Sequence, residues 1–465
     1  MSKSALSRRR FLAGLGCAGL GSSTLFSSLV HLGAASAASA QSLSPGSDYR
    51  ALVCILLAGG IDSYNLLVPT EPSEHAQYRE IRADLALEPQ QLLPLPAPNL
   101  AGRSFGLHPA VPELQSLYNQ GDLAFVSNVG TLVEPVTLAS IDSGVARLPV
   151  GLYSHSDQIA QWQTALPGDR SSHGWGGRLA DLLADVNSDQ RVSMSISLDG
   201  SNLFQSGRNS SAHSVETDPN AGPGGLFGYD NPDLALRSAA VDSLLNQDYK
   251  NLFEQAYARR MRNAIASDIF FRESLEGISV STPFPASRLG QGLQMVARAV
   301  SARERLGARR QTFFLVYGGW DHHDEVLANQ NRMLPVLSRA IGAFQQSLDE
   351  IGMTDQVTTF TISDFGRTLT SNGRGSDHGW GGNQFAVGGA VRGGQIFGQY
   401  PNLAPGTPLD TGRGRLIPTT SVDEYFSELC LWFGVDPSQL DLVLPNIARF
   451  YSPSAGAPPP IGFLL

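Results

Sequence analysis

Asp62, Asp321, His323, Asp364 and His378 are the residues of this 465-residue chain whose types and settings suit metal chemistry. They lie in Leu57-Ala58-Gly59-Gly60-Ile61-Asp62, Gly319-Trp320-Asp321-His322-His323-Asp324, Ser363-Asp364-Phe365-Gly366-Arg367 and Ser376-Asp377-His378-Gly379. Three carboxylates and two or three imidazoles in one cleft would repel and desolvate one another unless a cation held them. Mixed oxygen and nitrogen ligation suits Zn²⁺, Mn²⁺ or Fe²⁺ better than the all-oxygen shells of Ca²⁺ and Mg²⁺. We therefore expect one or two divalent ions, Zn²⁺ or Mn²⁺. Each residue also has a structural reading. Asp62 and Asp321 could cap helices, Asp364 could pair with Arg367, and one of His322 and His323 could stand apart from the ions.

Something must bring these distant residues together. Short apolar runs at 51–57, 123–126, 192–198, 312–317, 357–362 and 385–387 read as strands, and the first and fourth are apolar at both alternating positions, as in a sheet covered on both faces. Between them lie helical patterns, the clearest being Leu334, Leu337, Ile341, Phe344, Leu348 and Ile351. Pro335 is expected in a first turn there, with 325–333 a separate or kinked piece. The alternation predicts a doubly wound, mostly parallel α/β sheet with helices on both faces. In such sheets ligands sit beyond the carboxyl ends of the strands, where three of the four candidate segments begin.

Residues 1–40 read as an export signal outside the fold. Arg8-Arg9-Arg10 precedes an apolar stretch and a small-residue run ending Ala38-Ser39-Ala40, which suits a twin-arginine signal; an ordinary secretory signal is the alternative. Either places the protein in the periplasm or outside the cell, and the twin-arginine reading makes the translocase a partner. No later stretch is long and apolar enough for a stable membrane anchor. The net charge is −9, and all four basic and no acidic residues of the first forty fall in that signal, so the remainder is more acidic still. A body of that sign disfavours nucleic acid as a partner.

Residues 41–455 are expected to form one large domain, with a loop-rich insertion near 199–232 and a mainly helical segment near 233–309; residues 456–465 read as a tail. Cys54 and Cys430 lie in apolar segments, where two buried thiols or one disulfide are both compatible with the sequence.

The chain resembles the bacterial exported proteins grouped as domain of unknown function 1501. The motifs are LAGGIDSYNLLVP at 57–69, FGLHPAVPELQSLYNQGDLAFVSNVG at 105–130, SHSDQIAQWQTA at 154–165, GWDHH at 319–323, SDFGRT at 363–368 and SDHGWGG at 376–382. More distantly it is similar to the alkaline phosphatase and sulfatase superfamily. That resemblance implies a three-layer sandwich carrying one or two divalent metals. Asp62 matches the superfamily's ligand after the first strand, Asp321 and His323 its Asp-and-His loop, Asp364 the next aspartate, and His378 the last histidine. Phe365 departs from it, standing where a paired histidine is expected. Ser154, ahead of a helical stretch, matches the region of the nucleophile, although Ser154 with Asp157 also reads as a simple helix cap.

The expectation is an exported metal-dependent hydrolase or transferase acting on a small phosphate or sulfate ester, with Ser154 as nucleophile and Arg367 contacting the anion. His108 and His155 are expected to support the ligands from behind. The alternative is a non-catalytic exported binding or assembly protein that keeps the fold. A redox enzyme is disfavoured, because no dinucleotide glycine fingerprint, haem motif or iron–sulfur cysteine set occurs.

Overall fold

In the computed structural model, which describes residues 49–216, 229, 232–454 and 456–464, the apolar runs become the strands of one large sheet. The signal, its cleavage site and part of the insertion lie outside the described residues. In chain order the strands are β1 (Arg50–Leu57), β2 (Leu67–Pro69), β3 (Leu93–Leu95), β4 (Phe105–Leu107), β5 (Leu123–Gly130), β6 (Ser195–Ser197), β7 (His213–Ser214), β8 (Arg310–Val316), β9 (Val357–Ser363), β10 (Gly382–Val387), β11 (Gln395–Phe397) and β12 (Thr420–Ser421). The large sheet runs β11-β5-β10-β9-β1-β8-β6-β7, with β12 beside β5; β2, β4 and β3 form a small antiparallel sheet that periodicity did not mark.

Only β10 opposes the common direction, being antiparallel to both β5 and β9, while the other pairings in the sheet are parallel. The sheet is therefore mostly parallel, as its composition predicts. The reversal matters for the site. It brings the start of β10 to the edge where β1, β8 and β9 end, and His378 lies four residues before Gly382.

Both faces are covered. Along β1, Ala51, Val53, Ile55 and Leu57 enter one core with the helices Pro112–Gln120, Arg288–Ser301 and Val326–Glu350. Leu52, Cys54 and Leu56 enter the other with His155–Thr164, Trp175–Leu182 and Val422–Phe433. That alternation explains why β1 is apolar at every position: a strand between two helical layers has no solvent face. Cys54 and Cys430 are both buried free thiols.

Two expectations differ from the outcome. Val326–Glu350 is one helix with Pro335 inside it, and no break separates the preceding residues. Proline costs one backbone hydrogen bond there, but Met333, Leu334, Leu337, Ile341, Phe344 and Leu348 are all buried, and that apolar stripe holds the helix through it. The end of the chain is also more than a tail. The N–H groups of Ile461, Gly462, Phe463 and Leu464 all donate to the buried Glu428 carboxylate, and Phe463 and Leu464 join the second core. The segment 233–309 carries the helices Ala235–Leu245, Leu252–Leu275 and Arg288–Ser301. No helix among the described residues is long and apolar enough to cross a membrane.

Asp423, in the first turn of Val422–Phe433, supplies a pH test of this packing. Burial pushes its carboxyl from 3.8 up to about 7 against an opposing hydrogen bond from Asn446, and Oδ1 has no partner. A folded-state pKa above the unfolded one means that the folded protein holds the proton more tightly. The stabilisation is then present at low pH and is lost as pH rises through the window between those two values. Denaturant melts should therefore show the wild type losing stability relative to Asp423→Asn between about pH 4 and pH 7; parallel profiles for the two proteins would refute the assignment.

Candidate metal centre

The carboxyl ends of β1, β8 and β9 are in register, Leu56 opposite both Val316 and Ile362, so the three loops that follow emerge side by side. They are held almost in contact. Gly59 has φ +118°, and a Cβ there would lie 2.5 Å from the backbone N of Asp321. Gly366 meets the start of β10 as closely, since a Cβ would lie 2.1 Å from the Gly381 carbonyl. Only glycine permits these approaches. An isolated antiparallel bridge between Arg367 and His378 then joins the SDFGRT and SDHGWGG segments.

Asp321, His323 and His378 come together on this edge, and His155 joins them from the start of the helix His155–Thr164. Ligand atoms of His155, Asp321 and His378 all lie within 4.8 Å of one another. His155 Nε2 is 3.1 Å from His378 Nε2, and His323 Nε2 is 3.0 Å from the same atom. Asp321 Oδ1 lies 3.0 Å from His323 Nε2 and 3.4 Å from His378 Nε2, while Oδ2 is 3.4 Å from His155 Nε2. The group is solvent-accessible, with side-chain exposure from 24% for His378 to 45% for His323.

The partners behind each ring decide what faces the centre. His378 Nδ1 lies 2.8 Å from the Tyr153 carbonyl oxygen, which can only accept, so Nδ1 carries the proton and a neutral ring presents a bare lone pair at Nε2. His323 Nδ1 lies 3.0 Å from Asp377 Oδ1. Partial burial pushes the Asp377 carboxyl up, but bonds from His323, Arg413 and Asn372 outweigh it and bring it down to about 2, so near neutral pH it too is an acceptor. His155 Nδ1 lies 2.6 Å from Asp364 Oδ2, whose other oxygen accepts from the Gly59 N–H at 3.0 Å. With each Nδ1 bonded from behind, the three Nε2 atoms turn toward Asp321, and those of His155 and His323 lie 3.1 and 3.0 Å from that of His378.

A divalent cation fits this donor set. Three imidazole nitrogens and one carboxylate oxygen are borderline ligands suited to Zn²⁺, and a tetrahedral shell of bonds near 2.0–2.1 Å spaces its ligand atoms by about 3.3–3.4 Å. The separations of 3.0–3.4 Å that His378 and Asp321 make with their neighbours match that spacing, and His155, Asp321 and His378 form the set whose ligand atoms all lie within 4.8 Å of one another. Rings whose outer nitrogens are fixed by carboxylates or carbonyls are also the usual support of metal-bound histidine.

The other sequence candidates sit differently. Asp62 is buried at the N-terminal position of the helix Ser63–Leu66, caps nothing with its side chain, and is ion-paired with the equally buried Arg82 of Pro72–Arg82. Asp364 stands behind His155 with both oxygens engaged. Burial raises its carboxyl, and the bonds from His155 and Gly59 oppose that shift.

Arg367 is buried and fully committed. It donates to Asp321 Oδ1 at 2.7 Å, to the Gly59 and Ser376 carbonyls and to Ser376 Oγ. It therefore neutralises Asp321 and has no free edge for a bidentate substrate clamp; its carboxylate is Asp321, not Asp364. Burial pushes the Asp321 carboxyl up, but Arg367 and the neighbouring histidines more than offset it and hold it low. Ser154 occupies the cap position of His155–Thr164 without bonding to its backbone, and Oγ lies 3.2 Å from Ser156 Oγ.

His322 turns into the interior and His108 accepts from the Ala110 N–H away from the cluster, with burial bringing His108 down to about 4. Phe365 fills the space beneath the rings, its centroid 4.8 Å from that of His155 and 4.6 Å from that of His378. His155 as a direct member of the cluster, and Asp377 as support for His323, were not assigned from sequence. Their signals were present, a histidine at a helix start and an aspartate beside His378.

Residues 246–440 match the family model described as "Protein of unknown function (DUF1501)". Over that span the chain is similar to this family. The segments around Asp321, Asp364 and His378 fall inside the matched residues, whereas His155 lies before them. No curated protein matches the sequence. Solved structures align with this chain at low identity. They include the lipoteichoic acid synthase LtaP from Listeria monocytogenes, at 8% identity and TM-score 0.31 over 85% of this chain and 72% of that one. The wild-type alkaline phosphatase PafA aligns at 13% identity and TM-score 0.28, over 70% and 64% of the two chains. BT1596, a 2-O GAG sulfatase, aligns at 11% and 0.25, over 74% and 65%.

Proposed function

We propose that the chain is an exported, metal-dependent hydrolase or transferase acting on a phosphate or sulfate ester, delivered by the twin-arginine translocase. The observation that carries the metal reading is the convergence of His155, His323 and His378 through Nε2 on Asp321, with each Nδ1 already bound from behind. A divalent ion held by these four would polarise an ester oxygen and lower the pKa of an attacking hydroxyl or water.

The chain's own groups do the positioning. Asp364, Asp377 and the Tyr153 carbonyl hold the rings, and Arg367 offsets the charge of Asp321. Ser154 is the proposed nucleophile. It precedes His155, and the first amides of His155–Thr164 favour a negatively charged group beside it. A non-catalytic binding or assembly role is the second reading, supported by Phe365 packing against two imidazoles and by the committed Arg367.

The test pairs metal analysis of the purified protein with phosphate and sulfate release from an ester panel, with Zn²⁺ or Mn²⁺ supplied. Bound metal together with turnover lost in Asp321→Asn supports the enzyme. Bound metal with no turnover on any ester supports the second reading, and absence of stoichiometric metal overturns both assignments of the centre.

A further inference from the structure

Of the eight large hydrophobic side chains exposed among the described residues, five, Leu236, Leu244, Leu252, Phe253 and Tyr257, lie on the helices Ala235–Leu245 and Leu252–Leu275. Leu236 is 90% and Phe253 87% exposed. The second helix anchors its far end in the main core through Phe271 and Leu275. Its first half and the partner helix share only a small core of their own, Leu245, Ala258 and Ile265. Beside that core opens an apolar cavity of about 550 Å³ walled by Val241, Leu244, Tyr249, Phe253, Tyr257 and Met261. Exposed apolar surface so concentrated marks an interaction site.

Charge permits a second copy as the occupant. Residues 232–275 hold six acidic and six basic residues, so the rest of the chain carries the entire net charge of −9. Two of these hairpins meet without net charge repulsion, whereas the acidic body approaching an anionic bilayer is opposed by it. Shape agrees. Projecting leucines and an aromatic-walled cavity occupy the same patch, which is what a two-fold interface requires, since each copy must offer both the knob and the hole.

We propose that this hairpin is a homodimer interface, with two copies of the chain packing helix pair on helix pair around a two-fold axis. The inference is independent of the metal centre.

Sedimentation or light scattering of the purified full chain at micromolar concentration should give the mass of two chains. Phe253→Asp is expected to raise the dimer dissociation constant by about 30-fold or more, the effect of losing a central aromatic anchor. Leu236→Asp should do the same, and both side chains are exposed enough for circular dichroism and metal content to stay unchanged. A wild type that sediments as one chain overturns the proposal. So does a dimer that survives both substitutions, or a single chain that floats with anionic phospholipid vesicles through these residues.

Discussion

Replacing His378 with alanine is expected to lower Zn²⁺ affinity by about 100-fold or more, measured by competition with a chromophoric chelator. Apparent zinc-binding energies of about 10–16 kcal/mol, shared among four ligands, put each at roughly 3 kcal/mol, which is a factor of at least 100. His378 is the sharpest choice because its Nε2 lies within 3.4 Å of the near atoms of His155, His323 and Asp321. Asp377→Asn should have a graded effect, about 10-fold, because the amide oxygen can still accept from His323 while the charge that fixes the ring is lost. Equal affinity in wild type and His378→Ala would remove the metal centre from consideration.

Asp62→Ala should instead cost about 3–5 kcal/mol of folding stability while leaving metal affinity in the surviving fold unchanged, because removing one partner of a buried pair strands the other charge. Both side chains are almost completely buried, and Arg82 also donates to the carbonyls of Thr368 and Leu369, tying its helix to the loop after β9. An Asp62→Leu, Arg82→Met double variant should recover much of the loss, since a buried ion pair exchanged whole for apolar groups is often neutral. Denaturant melts and metal titration together decide the role. Loss of stoichiometric metal with stability retained would make Asp62 a ligand.

The two aspartates show where reading residues in order stops working. Asp62 and Asp321 have similar local signals, each after glycine at a strand end, yet one is sealed against Arg82 and the other opens toward three histidines. Arg82 sits at the end of an unremarkable helix, and nothing near it in sequence names its partner. Likewise Arg367 is three residues from Asp364 but reaches Asp321, because the loop after β9 folds back under the loop after β8.

Strand and helix periodicity, glycine at the strand ends and the clustering of Asp and His in the following loops are local properties. The amino-acid sequence alone therefore determined a two-faced, mostly parallel sheet and the edge on which its chemistry lies. The reversal of β10, the recruitment of His155, the retreat of Asp364 behind it and the burial of Asp62 were decided only by tertiary structure. Each depends on pairing between groups more than fifteen residues apart, and the low-dielectric interior settles such pairings by which charges and lone pairs find a partner, not by which residues stand next to them in the chain.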